Sequence, residues 1–227
     1  MFTEYKGTRQ KAPDALYTQL NIIKNTLEEN NFASINMPGF EADDIIGSMS
    51  KQYCNNLTVT ILTGDQDSFQ LVKENVFVAY LVNGVSNLVS YDKNKIYEKT
   101  GFYPEQIVDY KALCGDKSDN IPGVPNIGPK KASILLTKFG TIEGIYKKIN
   151  EVDPKLKTLL VEHKENAILS KKLAQINQNL EINISNNLMD IKNINIQNLE
   201  SFFKQYECES LIKKMDFLKT NNQKENK

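Results

Sequence analysis

Residues 115–132, GDKSDNIPGVPNIGPKKA, constrain the fold more than any other stretch of this 227-residue chain. Gly, Pro, Asp and Asn at this density interrupt any helix or strand and favour tight turns. Gly123 and Gly128 are placed to turn a short hairpin between two helices, with Pro129 at the first position of the second, predicted over 129–139. Backbone N–H groups in such a hairpin, and at the helix start behind it, can meet a phosphate. Lys130 and Lys131 add positive charge and make that contact salt-dependent.

The hairpin also divides the chain. Before it, LTVTIL (57–62) and VFVAYLV (76–82) read as buried strands, with 87–91 as a third. Helices are expected over 13–30, 41–54, 68–73, 92–99 and 104–114. After the hairpin the periodicity is helical over 142–149, 155–176 and 198–215, with an extended piece over 180–184. The expected organisation is an α/β region over 1–110, a helical region over 111–219 and a polar, disordered tail over 220–227.

Composition narrows the chemistry. No apolar run approaches the length of about 20 residues that spans a membrane, and the polar N-terminus lacks a signal-peptide core. Three cysteines, odd in number and far apart, fit neither a disulfide framework nor a zinc site, and point to a reducing, cytosolic compartment. One histidine argues against a His-based metal site or triad, so acid–base or metal chemistry falls to carboxylates. The 28 basic and 28 acidic side chains cancel, but unevenly along the chain. Six acids face only Lys51 and Lys73 between Gly39 and Val76, whereas lysines outnumber acids about twofold between Gly128 and Lys172. That asymmetry suits a metal site beside a surface for a polyanion, and equally suits ordinary surface variation.

Three groups of carboxylates stand out. Glu41, Asp43 and Asp44 open a predicted helix, where acids also complement the helix dipole. Asp65 and Asp67 follow a strand, at the end where open α/β sheets place ligands, although the same residues suit a polar turn and a cap. Asp116 and Asp119 lie in the Gly-rich loop. Together they form an all-oxygen donor set suited to Mg²⁺ or Mn²⁺. Two such ions, about 3.5–4 Å apart, stabilise the attacking and leaving oxygens of a phosphodiester.

The segments EYKGTRQKAPDAL (4–16), PGFEADDIIG (38–47), TILTGDQDSFQLV (60–72) and YKALCGDKSDNIPGVPNIGPKKA (110–132) resemble, in order and spacing, the 5′-nuclease domain of bacterial DNA polymerase I, related to flap endonucleases. The likeness covers nearly the whole chain. It implies an α/β, PIN- or resolvase-like sheet with flanking helices, followed by a helical DNA-binding region containing a helix–hairpin–helix. It implies metal-site roles for Glu41, Asp43, Asp44, Asp65, Asp67, Asp116 and Asp119. Lys6 and Arg9 match the basic pair at the base of the arch that passes the 5′ strand. Gly123, Val124, Asn126, Ile127, Gly128, Lys130 and Lys131 match the hairpin that grips the duplex backbone and holds a K⁺ ion through main-chain carbonyls.

The implied activity is two-metal 5′→3′ exonuclease and 5′-flap endonuclease cleavage of DNA, in RNA-primer removal and repair, by a monomer; whether its gene includes a polymerase domain is left open by the resemblance. The implied partners are duplex DNA with a 5′ flap or 5′ end and RNA-primed DNA, with no membrane. The family's two opening strands, each carrying an Asp, have no counterpart before Met1. The chain is therefore expected to be a fragment, or a reading frame truncated or begun at an internal Met, with unpaired sheet edges. On that expectation it binds DNA while cleaving it poorly, and the competing reading is a non-catalytic DNA-binding remnant. A PIN-like RNase is a third class, disfavoured by the hairpin.

Overall fold

The computed structural model describes residues 4–7, 11–84 and 87–222. Its helices are α1 (Asp14–Glu29), α2 (Ala42–Tyr53), α3 (Lys93–Thr100), α4 (Ile107–Cys114), α5 (Pro129–Phe139), α6 (Ile142–Lys147), α7 (Pro154–Glu162), α8 (Lys164–Ala174), α9 (Asn186–Met189), α10 (Ile196–Gln205) and α11 (Glu209–Asn222). The strands are β1 (Val59–Thr63), β2 (Val76–Leu81) and β3 (Leu88–Tyr91). Two compact units result, one from Met1–Gln10 with Met37–Ile182, the other from Lys11–Asn36 with Asn183–Lys227. No helix among the described residues is long and apolar enough to cross a membrane.

The first unit holds a sheet of order β1-β2-β3. β1 and β2 are parallel, with Val59 opposite Val76, and β3 returns antiparallel with Tyr91 opposite Val78. Val76 and Val78 are fully buried, as alternation on a half-covered sheet requires. Parallel strands need a crossover. Here it is a short segment with a 3₁₀ turn, Gln66–Leu71, which buries Phe69 and Leu71 against the sheet. Asp65 caps this turn by accepting the Asp67 N–H at 2.9 Å. The carboxyl end of β1 thus delivers two aspartates in one fixed turn.

α4 is the spine of the unit. Its apolar residues surround the axis instead of forming a stripe, and a helix of that kind is buried. Ile107 enters the core under the sheet, while Ala112 and Leu113 enter a second core with Val124, Ile127, Leu135, Ile145 and Leu160. Its one deeply buried charge, Asp109, meets Lys171 of α8 at 2.7 Å and accepts the Ile142 N–H at 3.3 Å. A buried carboxylate without those partners would be strongly destabilising.

At the end of α4 the chain turns through Gly115 (φ 72°) and closes a small loop, in which Asp116 and Ile121 exchange both backbone hydrogen bonds. Gly123 (φ 65°) packs backbone to backbone against Gly115, and a Cβ there would stand 2.2 Å from the Gly115 nitrogen. The hairpin continues with Val124 and Ile127 in the core and enters α5 at Pro129.

Two long helices expected from periodicity are each broken. The stretch 155–176 divides at His163 into α7 and α8, with Asp153 capping the first through the Lys155 and Leu156 N–H groups. The stretch 198–215 divides at 206–208, where Glu207 takes a positive φ of 53°. Residues 180–184 form no strand, and α11 runs through Asn222, into the stretch expected as a tail.

In the second unit, Asn195 donates its N–H to the Asn30 carbonyl, and Asn31 donates its side-chain amide to the Asn193 carbonyl. An apolar cavity of about 610 Å³ is lined by residues of α1, α10 and α11, including Ile22, Leu27, Leu199 and Phe202. Leu16, Leu20 and Ile23 of α1 are exposed.

Gly123→Ala should cost roughly 3 kcal/mol or more, since both the positive φ and the contact with Gly115 resist a Cβ. Denaturant unfolding measures this, and a loss under about 1 kcal/mol would show that the hairpin relaxes freely.

Candidate active site

Acids from three segments approach one another in the first unit. The capping box at the start of α2 is built by Glu41 and Asp44, which leaves Asp43 pointing elsewhere. Asp43 is pushed above the usual carboxylate range by burial, then by the charges of Asp65 and Asp67. Asp67 is pushed up by burial too; the Lys111 ammonium opposes this, while Asp65 and Asp116 add to it. Asp43 thus lies within electrostatic reach of Asp65 and Asp67, and Asp67 within reach of Asp65 and Asp116, so Asp67 links acids that are 73 residues apart in sequence.

Lys111 of α4 stands between two of them. Its ammonium donates to Asp116 Oδ2 at 2.7 Å and to Asp67 Oδ1. Burial works against its charge, but these two carboxylates outweigh that and raise its pKa. Asp116 also accepts the Ser118 N–H at 2.8 Å and the Ser118 hydroxyl at 2.5 Å through Oδ1. Burial alone would raise Asp116, yet Lys111 and Ser118 together hold it down at about 2.

Lys6 is positioned by the hairpin loop. Its N–H donates to the Asp119 carbonyl at 3.0 Å, and Asn120 donates its side-chain amide to the Glu4 carbonyl at 2.7 Å. The Lys6 ammonium meets Glu41 Oε2 at 2.5 Å. Tyr5 beside it is pushed up, chiefly by burial, and feels Lys6, Glu41 and the buried Asp119. Asp119 thus borders the same cluster. Asp44 does not face it: Oδ1 accepts the Asn177 N–H at 2.9 Å and Oδ2 the Glu41 N–H at 3.2 Å. Arg9 lies outside the described residues.

The donor set is made of carboxylate oxygens, the chemistry that hard divalent cations select. Among the described residues no three acids, histidines or cysteines stand grouped as a ready ion cage. Lysines occupy the carboxylates instead, Lys111 on Asp67 and Asp116, Lys6 on Glu41. The donor chemistry fits a divalent ion once those lysines give way.

The hairpin offers less side chain than its sequence suggests. Val124 and Ile127 are buried, and their N–H groups serve the Leu113 and Val124 carbonyls. The Gly123 N–H is taken by the Ser170 hydroxyl at 2.9 Å. Asn126, Gly128, Lys130 and Lys131 are exposed, and Lys131 Nζ meets the Asn126 carbonyl at 2.8 Å.

A mixed sheet with acids at the end of a parallel strand, followed by a helical hairpin region, agrees with a resolvase-like α/β unit carrying a SAM-type helical extension. A family profile described as the N-terminal resolvase-like domain of 5′-3′ exonuclease matches residues 1–101, and one described as its C-terminal SAM fold matches 102–197. A 5′-3′ exonuclease of Aquifex aeolicus is 36% identical over 220 residues, covering 95% of this chain and 73% of that protein. DNA polymerase I of Bacillus caldotenax is 38% identical over 217 residues, covering 95% of this chain. The chain spans only 25% of that polymerase's length. The chain belongs to the 5′-3′ exonuclease family. Among solved structures, the 5′-exonuclease of phage T5 with bound zinc ions has a TM-score of 0.64 at 24% identity, covering 78% of this chain and 68% of that one. The flap endonuclease of the same phage, in a pseudo-enzyme–product complex with DNA and metal ions, has a TM-score of 0.65 at 23% identity and the same coverage. These two likenesses concern the fold.

Asp43 and Asp44 are neighbours with opposite expected effects on stability. Asp44→Ala removes acceptors for two backbone N–H groups and should destabilise the cation-free protein by roughly 1–2 kcal/mol. Asp43→Ala relieves repulsion and should leave stability unchanged or raise it. Thermal unfolding in EDTA compares them, and equal losses would contradict this division of roles.

Proposed function

We propose that the chain is the nuclease unit of a 5′→3′ exonuclease and structure-specific 5′-flap endonuclease that hydrolyses DNA phosphodiesters with two divalent ions, Mg²⁺ or Mn²⁺. The observation that carries this reading is Asp67, which feels Asp43 and Asp65 on one side and shares Lys111 with Asp116 on the other, in a chain that goes on into a basic hairpin. Asp43, Asp65, Asp67 and Asp116, with Glu41 and Asp119 at the border, would hold the ions; Asp44 would act by fixing the start of α2. When bound, such ions stabilise the charge that develops on the attacking and leaving oxygens of the phosphodiester.

The chain's own residues then have distinct tasks. Lys6 offers positive charge to the strand's phosphates at the edge of the acids, and Arg9 is assigned the same task on the resemblance alone. The exposed backbone of the hairpin and the first turn of α5 hold duplex phosphates, with Lys130 and Lys131 supplying long-range attraction. A K⁺ ion, which the resemblance implies here, would be held by main-chain carbonyls of the hairpin. The partners on this reading are duplex DNA bearing a 5′ flap or 5′ end and RNA-primed DNA, bound by a monomer in the cytoplasm. Primer removal and repair follow from that substrate choice.

One observation favours a second reading, a chain that binds DNA without cleaving it: no three described acids stand grouped. A labelled 5′-flap duplex decides between the two, with binding measured in Ca²⁺ and cleavage in Mg²⁺. The nuclease reading expects cleavage that Asp67→Asn lowers roughly a hundredfold or more. Salt-sensitive binding with no Asp67-dependent product would establish the second reading instead. For the hairpin, Lys130→Ala with Lys131→Ala should reduce the slope of log affinity against log salt by about one to two. An unchanged slope would mean that these lysines do not meet phosphates.

A further inference from the structure

We propose that Lys111 is a resident counter-ion, which clamps Asp67 and Asp116 together in the cation-free protein and must release both when a divalent ion enters. The proposal rests on the reading of those two aspartates as ligands.

Three observations carry it. First, Lys111 joins acids from two separate segments, the 3₁₀ turn after β1 and the hairpin loop, so it sits where a shared cation would sit. Second, all three side chains are largely covered, at 15% exposure for Lys111, 21% for Asp67 and 19% for Asp116. Solvent therefore screens this cluster less than a surface pair, and two facing carboxylates without a cation would repel strongly. One ammonium offsets only one of their two charges; a divalent ion offsets both. Third, Lys111 has somewhere to go. A cavity of about 260 Å³ opens beside it, lined by Phe69, Phe102 and Tyr110 together with Thr100, Ile107 and Asp67 itself, so the ammonium can swing off the shared position toward the aromatic side. The apolar stem of a lysine packs well on such walls, and its ammonium is attracted to aromatic faces. A lysine also releases more readily than an arginine, whose planar fork would grip a carboxylate at two points.

Lys111 is thus a positioning residue. A purely structural lysine and a displaceable one make opposite predictions. If Lys111 only supports the site, removing it loosens the aspartates and weakens ion binding. If it competes with the ion, removing it strengthens binding. Mn²⁺ titration by calorimetry should therefore show Lys111→Met binding roughly threefold to tenfold more tightly than the wild type, while Lys111→Arg binds no more tightly. The same Lys111→Met protein should unfold at a lower temperature than wild type in EDTA and gain more from added Mn²⁺.

A measurement on the wild-type protein covers the case in which Lys111→Met does not fold. Reductive methylation followed by mass spectrometry should label Lys111 more in Mg²⁺ than in EDTA, with Lys130 as an exposed reference. Wild-type Mn²⁺ binding that Lys111→Met matches or weakens would overturn the proposal, as would labelling that Mg²⁺ leaves unchanged. Absence of Mn²⁺ binding in both proteins would overturn the ligand reading itself, and the proposal with it.

Discussion

Gly115 and Gly123 meet backbone to backbone at the end of α4, and the rest of the site depends on that contact. The approach leaves no room for a Cβ on Gly123, the Ile121 and Pro122 carbonyls leave none on Gly115, and both residues take a positive φ. With the loop closed this way, Asp116 stands five residues beyond Lys111 and within its reach. The same loop presents the Asp119 carbonyl to Lys6 and the Asn120 amide to Glu4, which brings the 4–7 segment against Glu41. On its other side the loop leads through buried Val124 and Ile127 into α5. One backbone contact thus ties the acid cluster to the basic hairpin.

The acids are held near one another against their own repulsion. Burial first, and neighbouring carboxylates second, raise Asp43 and Asp67, whereas Lys111 and Ser118 hold Asp116 down. Folding energy from the two apolar cores, joined through α4, is what forces this proximity. Carboxylates gathered so would favour an entering cation, which is the basis of the proposed ion site. Lys6 and Lys111 moderate the repulsion, each from a different segment.

Much of this was legible in the sequence. Pro129 and Phe139 bound the helix that the sequence marks, because proline at a first turn and glycine after a last one act locally. The strands fall where β-branched runs place them. The acids were visible as types and positions, with Asp65 and Asp67 expected at the end of a strand, where the structure has them. What the sequence could not separate was Asp43 from Asp44, since the choice depends on which one meets the Asn177 N–H, 133 residues away. Lys111 gave no signal, because one lysine in a helix resembles any other until the loop folds back. The helix breaks at His163 and Glu207 carry neither Gly nor Pro, so periodicity ran through them.

The central claim is that three distant segments build one divalent-cation site. Iron-mediated backbone cleavage tests it directly, because Fe²⁺ replacing Mg²⁺ generates radicals that cut the chain only beside its own ligands. With ascorbate and peroxide, the account predicts cuts at three places, around residues 41–43, 65–67 and 116–119, all suppressed together by excess Mg²⁺. Cuts confined to one of these segments, or scattered without regard to Mg²⁺, would contradict it.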